Sequence, residues 1–373
     1  MHYFEYATKD TTLYEESHSL NTGLDEILEI RKDMNNDGSV IYVSRALIKF
    51  DLTYISDSIN SGLITSGSRE KFYLNLYDAN SEDLNVSQSL YAYPVSQSWH
   101  MGSGYKGANP GIEDGASWRN KDNSTLRTQW NDITGSGGTW YSGSGYEGSQ
   151  SFDHNPTDLR MDVTDIIWKW HHGTIPNEGF MIKRSGSIGN TNSNVEEGNT
   201  TRYGHFKFFS RETHTIYQPK LEVVWDDSKW NTGSLSALSS ANLEDMVLYM
   251  RGLRPEYREN SKVKFRLVGR ERYPEKSYSS TDQYQTGYLT VKTLPSGSTY
   301  YEIKDAYTEE IVVPFGTGSI VSCDSTGNYF NFWMKGLQAE RFYRINYKVV
   351  SGSGTADETI QYFDEKHSFK VVR

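Results

Sequence analysis

Only one cysteine, Cys323, is present in the chain, so no internal disulfide can form, and folding in a reducing compartment is expected. Long apolar runs are missing as well. None approaches the roughly 18 residues of a membrane-spanning helix, and Met1-His2-Tyr3-Phe4-Glu5-Tyr6 carries neither a basic nor an apolar leader region. Neither a membrane span nor a secretion signal is therefore expected. A surplus of positive charge is also lacking. The chain has 38 Lys plus Arg against 48 Asp plus Glu, a net charge of -10, which argues against nucleic acid as the main partner because phosphate neutralisation needs a cationic excess. The deficit is uneven: residues 1–239 hold 20 basic against 31 acidic side chains, and residues 240–373 hold 18 against 17.

Catalytic signatures are equally absent. There is no H-E-x-x-H, no G-x-S-x-G elbow, no phosphate-cradling G-x-x-x-x-G-K-[ST] loop and no cysteine pair, and the nine histidines are scattered. A polysaccharide hydrolase or lyase would need two carboxylates about 5 to 10 Å apart, and the 48 acidic residues single out no pair. A non-enzyme with no cofactor is the expectation.

Aromatic residues and glycine are abundant. Aromatics are 14% of the chain, with 27 Tyr and 9 Trp, and 32 Gly separate short apolar runs. Rings suit pleated surfaces and glycines suit the turns between them, so the chain reads as all-β in about two domains. In Ser44-Arg45-Ala46-Leu47-Ile48-Lys49-Phe50-Asp51-Leu52 the residues Ile48, Phe50 and Leu52 recur at a period of two, the mark of a half-buried central strand. Candidate strands flank it at 26–31 and 72–77, and others follow at 180–183, 206–209 and 221–225. One helix is expected over 162–173, where Val163, Ile166, Ile167 and Trp170 share a face, with Asp162 or Thr164 as cap and Gly173 at its end.

Three further stretches carry possible chemistry. Asp33, Asn35 and Asp37, followed by Gly38, match the first half of a calcium loop, but Ser44 stands where a bidentate Glu belongs, and Asn-Asp-Gly between strands is also a hairpin turn. Two echoes, Gly102-Ser103-Gly104-Tyr105-Lys106-Gly107 and Gly143-Ser144-Gly145-Tyr146-Glu147-Gly148, match the dinucleotide fingerprint without its strand-to-helix setting, so no nucleotide site is expected. The apolar period fails between Trp99 and Pro156. There Trp99, Trp118, Trp130 and Trp140 either anchor a long excursion on its own sheet or offer rings to a sugar or a protein partner.

Asp10-Thr11-Thr12, Asn21-Thr22-Gly23, the 45–52 strand, Ser98-Trp99, Trp118, Asp162-Val163-Thr164 and Asn177-Glu178-Gly179-Phe180 together resemble the DNRLRE domain family over about residues 8–226. The resemblance implies a jelly-roll-like β-sandwich, similar to carbohydrate-binding modules and found in microbial surface proteins and tailed-phage virions. A polar linker follows at 231–242, after a first domain over 1–230. Residues 243–373 resemble the immunoglobulin-like modules of phage structural proteins, with Leu337 and Tyr343 spaced like a tyrosine corner. The expected fold is thus a jelly-roll-like sandwich with one short helix, followed by an immunoglobulin- or fibronectin-like sandwich.

Residues 251–276 hold nine basic side chains against four acidic ones, among them Arg251, Arg254 and Arg258. This stretch is either a solvated strand face or a docking patch for an acidic neighbour. The implied role is a structural component of a virion, in multiple copies and in contact with other virion proteins, with a host-glycan adhesin as the alternative.

Overall fold

The computed structural model describes residues 1–35, 40–64, 70–84, 86–131, 137–153, 157–186, 196–238, 243–273, 291–352, 354 and 358–373. The protein is all-β. Two compact units make it up: Phe4–Ser61 with Lys71–Glu222, and Met1–Tyr3 with Gly62–Glu70 and Val223–Arg373.

The larger unit contains β1 (His2–Tyr14), β2 (Ile27–Met34), β3 (Ile41–Phe50), β4 (Lys71–Leu76), β5 (Gln88–Pro94), β6 (Asn120–Asp122), β7 (Thr128–Gln129), β8 (Gly148–Phe152), β9 (Leu159–Asp162), β10 (Phe180–Lys183), β11 (Gly204–Phe209) and β12 (Lys220–Val224), with helices α1 (Thr53–Asn60) and α2 (Thr164–His171). Strand order is β8-β5-β10-β3-β1-β12-β4-β9, and β2 links β3 to β11. β3 is the hub. It pairs with β1 over Ser44–Phe50, with β10 over Ala46–Ile48 and with β2 over Ile41–Val43. Where β2 leaves, the Ser44 hydroxyl takes over the ladder: it accepts the Arg31 N–H and donates to the Glu29 carbonyl, both at 2.8 Å.

This strand is not half-buried. Residues 43–48 are all buried, because each face has its own cover. On one face Phe50 and Phe180 meet edge to face, and Phe180 packs on Trp170 of α2 at 4.6 Å between ring centroids. On the other face Val43 and Leu47 join Leu13, Met181, Trp99, Trp118 and Trp130 in one apolar cluster. The alternation in the sequence reports only the first cover, since the second comes from chain fifty or more residues away.

That second cover, the glycine- and tryptophan-rich excursion, closes around one side chain. The Asn21 carboxamide is fully buried and makes four bonds: Nδ2 donates to the carbonyls of Met101 (2.7 Å) and Ala116 (2.8 Å), and Oδ1 accepts the N–H groups of Gly23 (3.2 Å) and Gly104 (2.9 Å). The backbone approaches so closely that a Cβ on Gly104 would lie 2.1 Å from the Asn21 carbonyl oxygen, and one on Gly102 would lie 2.2 Å from Asn21 Oδ1. The first G-x-G of the echoed motif is therefore a socket for Asn21. Thr22 anchors the same turn to β1, donating to the Thr12 carbonyl at 2.9 Å and accepting the Thr12 N–H at 3.1 Å.

Among the described residues two α-helices occur where one was expected. In α2 the cap lies one residue further out than a side-chain N-cap: Val163 holds the cap position, and Asp162 Oδ1 accepts both the N–H and the hydroxyl of Thr164. Gly173 ends the helix with φ +68°. Asp51 does the same for Thr53 at the start of α1. Asp-x-Thr after a strand is thus the shared start signal, and Leu52, expected on the central strand, instead stands at the cap of α1, a helix that offers only Ile55, Ser58 and Ile59 to the core.

The second unit contains β13 (Met246–Arg251), β14 (Glu256–Arg258), β15 (Lys262–Glu271), β16 (Thr299–Asp305), β17 (Ile311–Val313), β18 (Ser322–Asp324), β19 (Gly327–Trp333), β20 (Phe342–Ser351) and β21 (Thr359–Val372). They form sheets in the orders β13-β15-β19-β18 and β14-β21-β20-β16-β17. Rings from both sheets meet between them: Tyr301 stacks on Phe330 at 4.0 Å, and Phe265 packs on Phe369 at 5.6 Å. Tyr343 makes the corner, its hydroxyl accepting the Gln338 N–H at 2.8 Å.

Asn21→Leu keeps the volume and strands two carbonyls and two N–H groups, each worth about 1–3 kcal/mol when buried without a partner. Urea denaturation should show a loss of at least about 3 kcal/mol. An unchanged midpoint would mean that the excursion is held by something other than Asn21.

Candidate functional site

Trp99, Trp118 and Trp130 are 4%, 2% and 3% exposed. They are core residues, and the indole N–H groups of Trp99 and Trp130 donate to the carbonyls of Glu178 (2.8 Å) and Ser117 (2.9 Å). None offers a ring face to a sugar. Trp140 is half-buried, with the Arg45 guanidinium 5.0 Å and the Lys183 ammonium 4.8 Å from its ring centroid. Beyond it, Tyr141 and Tyr146 stack at 5.9 Å, both half-exposed, with Lys169 4.4 Å from the Tyr146 ring.

Trp140 lies against a cluster of charges that the sequence did not reveal. Arg45, 1% exposed, binds Glu197 with Nε at 3.1 Å and Nη2 at 2.6 Å, and its Nη1 donates to the Gly137 carbonyl at 2.7 Å. The Trp118 ring lies 4.7 Å from the same guanidinium. Lys183 Nζ sits 3.4 Å from Glu197 and donates to the Arg184 carbonyl at 2.7 Å. Burial pulls the Lys183 ammonium down to about 8, against the opposing pull of Glu197. Arg184 donates to Gln88, and burial lowers it to about 10. These groups are closed from solvent, so they clamp the excursion to β3 and β10 and present no reactive face. The pairing joins residues 152 apart in sequence, which no local pattern announces.

Asp33 and Asn35 sit on the β2–β3 hairpin and do not converge on a cation site. Asp33 takes the Met34 N–H at 2.8 Å and an Arg31 Nη2 at 3.3 Å. These bonds outweigh the burial that would raise it and hold its carboxyl below the ordinary value. Asn35 Oδ1 accepts the Val40 N–H at 3.0 Å. Asp37 lies outside the described residues. Among the described residues no three His, Cys, Asp or Glu side chains come together as a metal site.

The basic stretch of the second unit is sorted by strand alternation. Along β15, Phe265, Leu267 and Gly269 are buried toward the core, while Lys262, Lys264, Arg266 and Arg270 lie on the other face. Register adds Val247, Tyr249 and Arg251 from β13, opposite Arg270, Val268 and Arg266, and Trp333, Asn331 and Tyr329 from β19, opposite Lys262, Lys264 and Arg266. Arg251 therefore joins the β15 cations. Arg258 does not, because β14 belongs to the other sheet, and Arg254 lies in the connection between β13 and β14. The nine-cation run is thus not one patch.

Rings and one carboxylate organise this face. Lys264 lies 3.7 Å from the Tyr329 centroid, Arg266 5.3 Å from the same ring, and Lys262 5.1 Å from the Trp333 ring. Asp324 accepts from Arg266 (2.7 Å), Lys264 (2.8 Å), and the hydroxyl (2.6 Å) and N–H (2.9 Å) of Thr326. The Arg266 bond first, with the others, holds its carboxyl far below the usual range. A cavity of about 290 Å³ opens here, lined by Arg251, Arg266, Leu267, Val268, Thr326 and Gly327 among others. With cations already lying on the rings, the face is fitted to anions more than to stacked bases.

No family model matches the chain, and no curated protein matches it. Among solved structures it is similar to a DUF4785 family protein from Legionella pneumophila, at 7% identity and a TM-score of 0.19, covering all of this chain and 65% of that one. The chain thus spans about two thirds of that protein's length, and a likeness of this size carries no function across.

Lysine burial sets a pH dependence. Lys183, Lys9 and Lys32 are each lowered from 10.5 to about 8, chiefly by burial. From pH 8 upward the unfolded chain therefore binds more protons than the folded one, and stability rises with pH. The rise should end near pH 10, where buried Tyr14, Tyr301 and Tyr347, whose phenols burial raises well above 10.0, begin to act in the opposite sense. Denaturation midpoints measured between pH 8 and about 9.5 should climb, and less steeply in Lys183→Met. Glu197→Gln, which leaves the buried Arg45 without its counter-ion, should cost about 3–5 kcal/mol in the same assay.

Proposed function

We propose that the protein is a non-catalytic structural component of a tailed-phage particle, present in multiple copies, in which the basic face of the second unit docks onto an acidic surface of a neighbouring virion protein. The observation that carries the docking is the alternation of β15, which gathers Lys262, Lys264, Arg266 and Arg270 with Arg251 of β13 on one face, where Asp324 pairs with Arg266 and Lys264. Charge complementarity of this kind sets register and speeds encounter. The acidic balance of residues 1–239 makes another copy of the chain one such neighbour. The particle itself is supported by the resemblance over residues 8–226 and 243–373.

A host-glycan adhesin is the second reading, favoured by the half-exposed Tyr141–Tyr146 stack beside Lys169, since aromatic faces with polar edges suit sugar rings. On that reading Tyr141→Ala abolishes glycan-array binding without moving the thermal midpoint.

Arg251 and Lys262 are exposed. The double variant Arg251→Glu with Lys262→Glu should fold normally and enter particles several-fold less than the wild type, measured by blotting purified particles, and wild-type attachment should weaken as salt is raised. Absence of the wild-type chain from particles overturns the virion assignment. Normal incorporation of the double variant overturns this face as the anchor.

A further inference from the structure

We infer that the recess between Arg251 and Arg266 is a binding site for a phosphate monoester dianion. The two arginines occupy directly opposed positions on antiparallel strands and point to the same face of the sheet. Like charges so placed repel and destabilise the pairing unless something bridges them. Asp324 does not bridge them. It is bonded to Arg266 and Lys264 and to Thr326, while the Arg251 side chain has no hydrogen-bond or ion-pair partner among the described residues.

Charge selects the ligand. Arg251, Arg266 and Lys264 against Asp324 leave two positive charges, which match a phosphate monoester at about −1.5 to −2 near pH 7. A carboxylate carries a single negative charge on two oxygens, whereas a phosphate monoester carries nearly two on three oxygens and can offer a face to each guanidinium. Size points the same way. At about 290 Å³ the cavity exceeds a bare phosphoryl group, lies near the lower end of the roughly 300–1,000 Å³ of small-ligand pockets, and has Val268, on the same face as Arg266, in its wall for the organic remainder. The Lys264 and Arg266 cations lie on the Tyr329 ring, so that ring holds the cations in place and is not free to stack on a base.

This inference rests on the docking reading in using the same face, and the two fail separately. The test is isothermal titration of the full chain with inorganic phosphate and glycerol phosphate, with acetate and dimethyl phosphate as comparators, at constant ionic strength. Phosphate and its monoester should saturate a single site. Acetate and the diester should bind at least tenfold more weakly, and Arg251→Gln should weaken phosphate at least tenfold. Lys262→Gln, which removes a cation of the same face outside the cavity lining, should bind phosphate as the wild type does. Heat without saturation, equal binding by acetate, undiminished binding by Arg251→Gln, or an equal loss in Lys262→Gln overturns the site. Any of these results leaves particle docking to be judged by its own incorporation assay.

Discussion

Four hydrogen bonds from one carboxamide hold the larger unit's second layer in place. Asn21 reaches two carbonyls and two N–H groups of the excursion and of its own turn, and every donor and acceptor of its amide is used. With the excursion fixed, Trp99, Trp118 and Trp130 can bury their rings over Leu47 and Met181. Trp118 in turn lies over Arg45 and shuts water away from it, and a charge so enclosed needs a counter-ion. Glu197, 152 residues from Arg45, supplies one. The polar socket, the aromatic layer and the ion cluster are therefore successive consequences of one closure.

The two units use charged side chains in opposite ways. In the larger one Arg45, Lys183 and Arg184 are inside, held by Glu197, Gln88, backbone carbonyls and the faces of Trp118 and Trp140, and they serve cohesion. In the second, cations lie on an outer sheet face, with one carboxylate among five basic side chains. The proposed docking uses this second arrangement, and Trp99, Trp118 and Trp130 serve the core.

Much of the architecture was readable beforehand because strand periodicity and turn chemistry are local. The strands at 180–183, 206–209 and 221–225 and the helix face of Val163, Ile166, Ile167 and Trp170 follow from spacing alone. The short strands β14, β17 and β18 and the helix α1 were not readable, since two or three apolar positions carry too little period to stand out. At the basic face, the period-two placement of Lys262, Lys264 and Arg266 was in plain view. Its limits were not, because only sheet membership separates Arg258 from Arg251.

By itself the sequence determined that this is an all-β chain with a single cysteine, a central strand near 44–52 and a basic stretch over 251–276, for these depend on composition and on neighbours a few residues apart. Tertiary structure decided which rings are core and which remain at the surface, that Arg45 is buried and paired, and that Arg251 stands opposite Arg266. The physical reason is the same in each case: burial and pairing are set by segments tens to hundreds of residues distant. A residue's own neighbourhood in the chain carries no record of what will cover it.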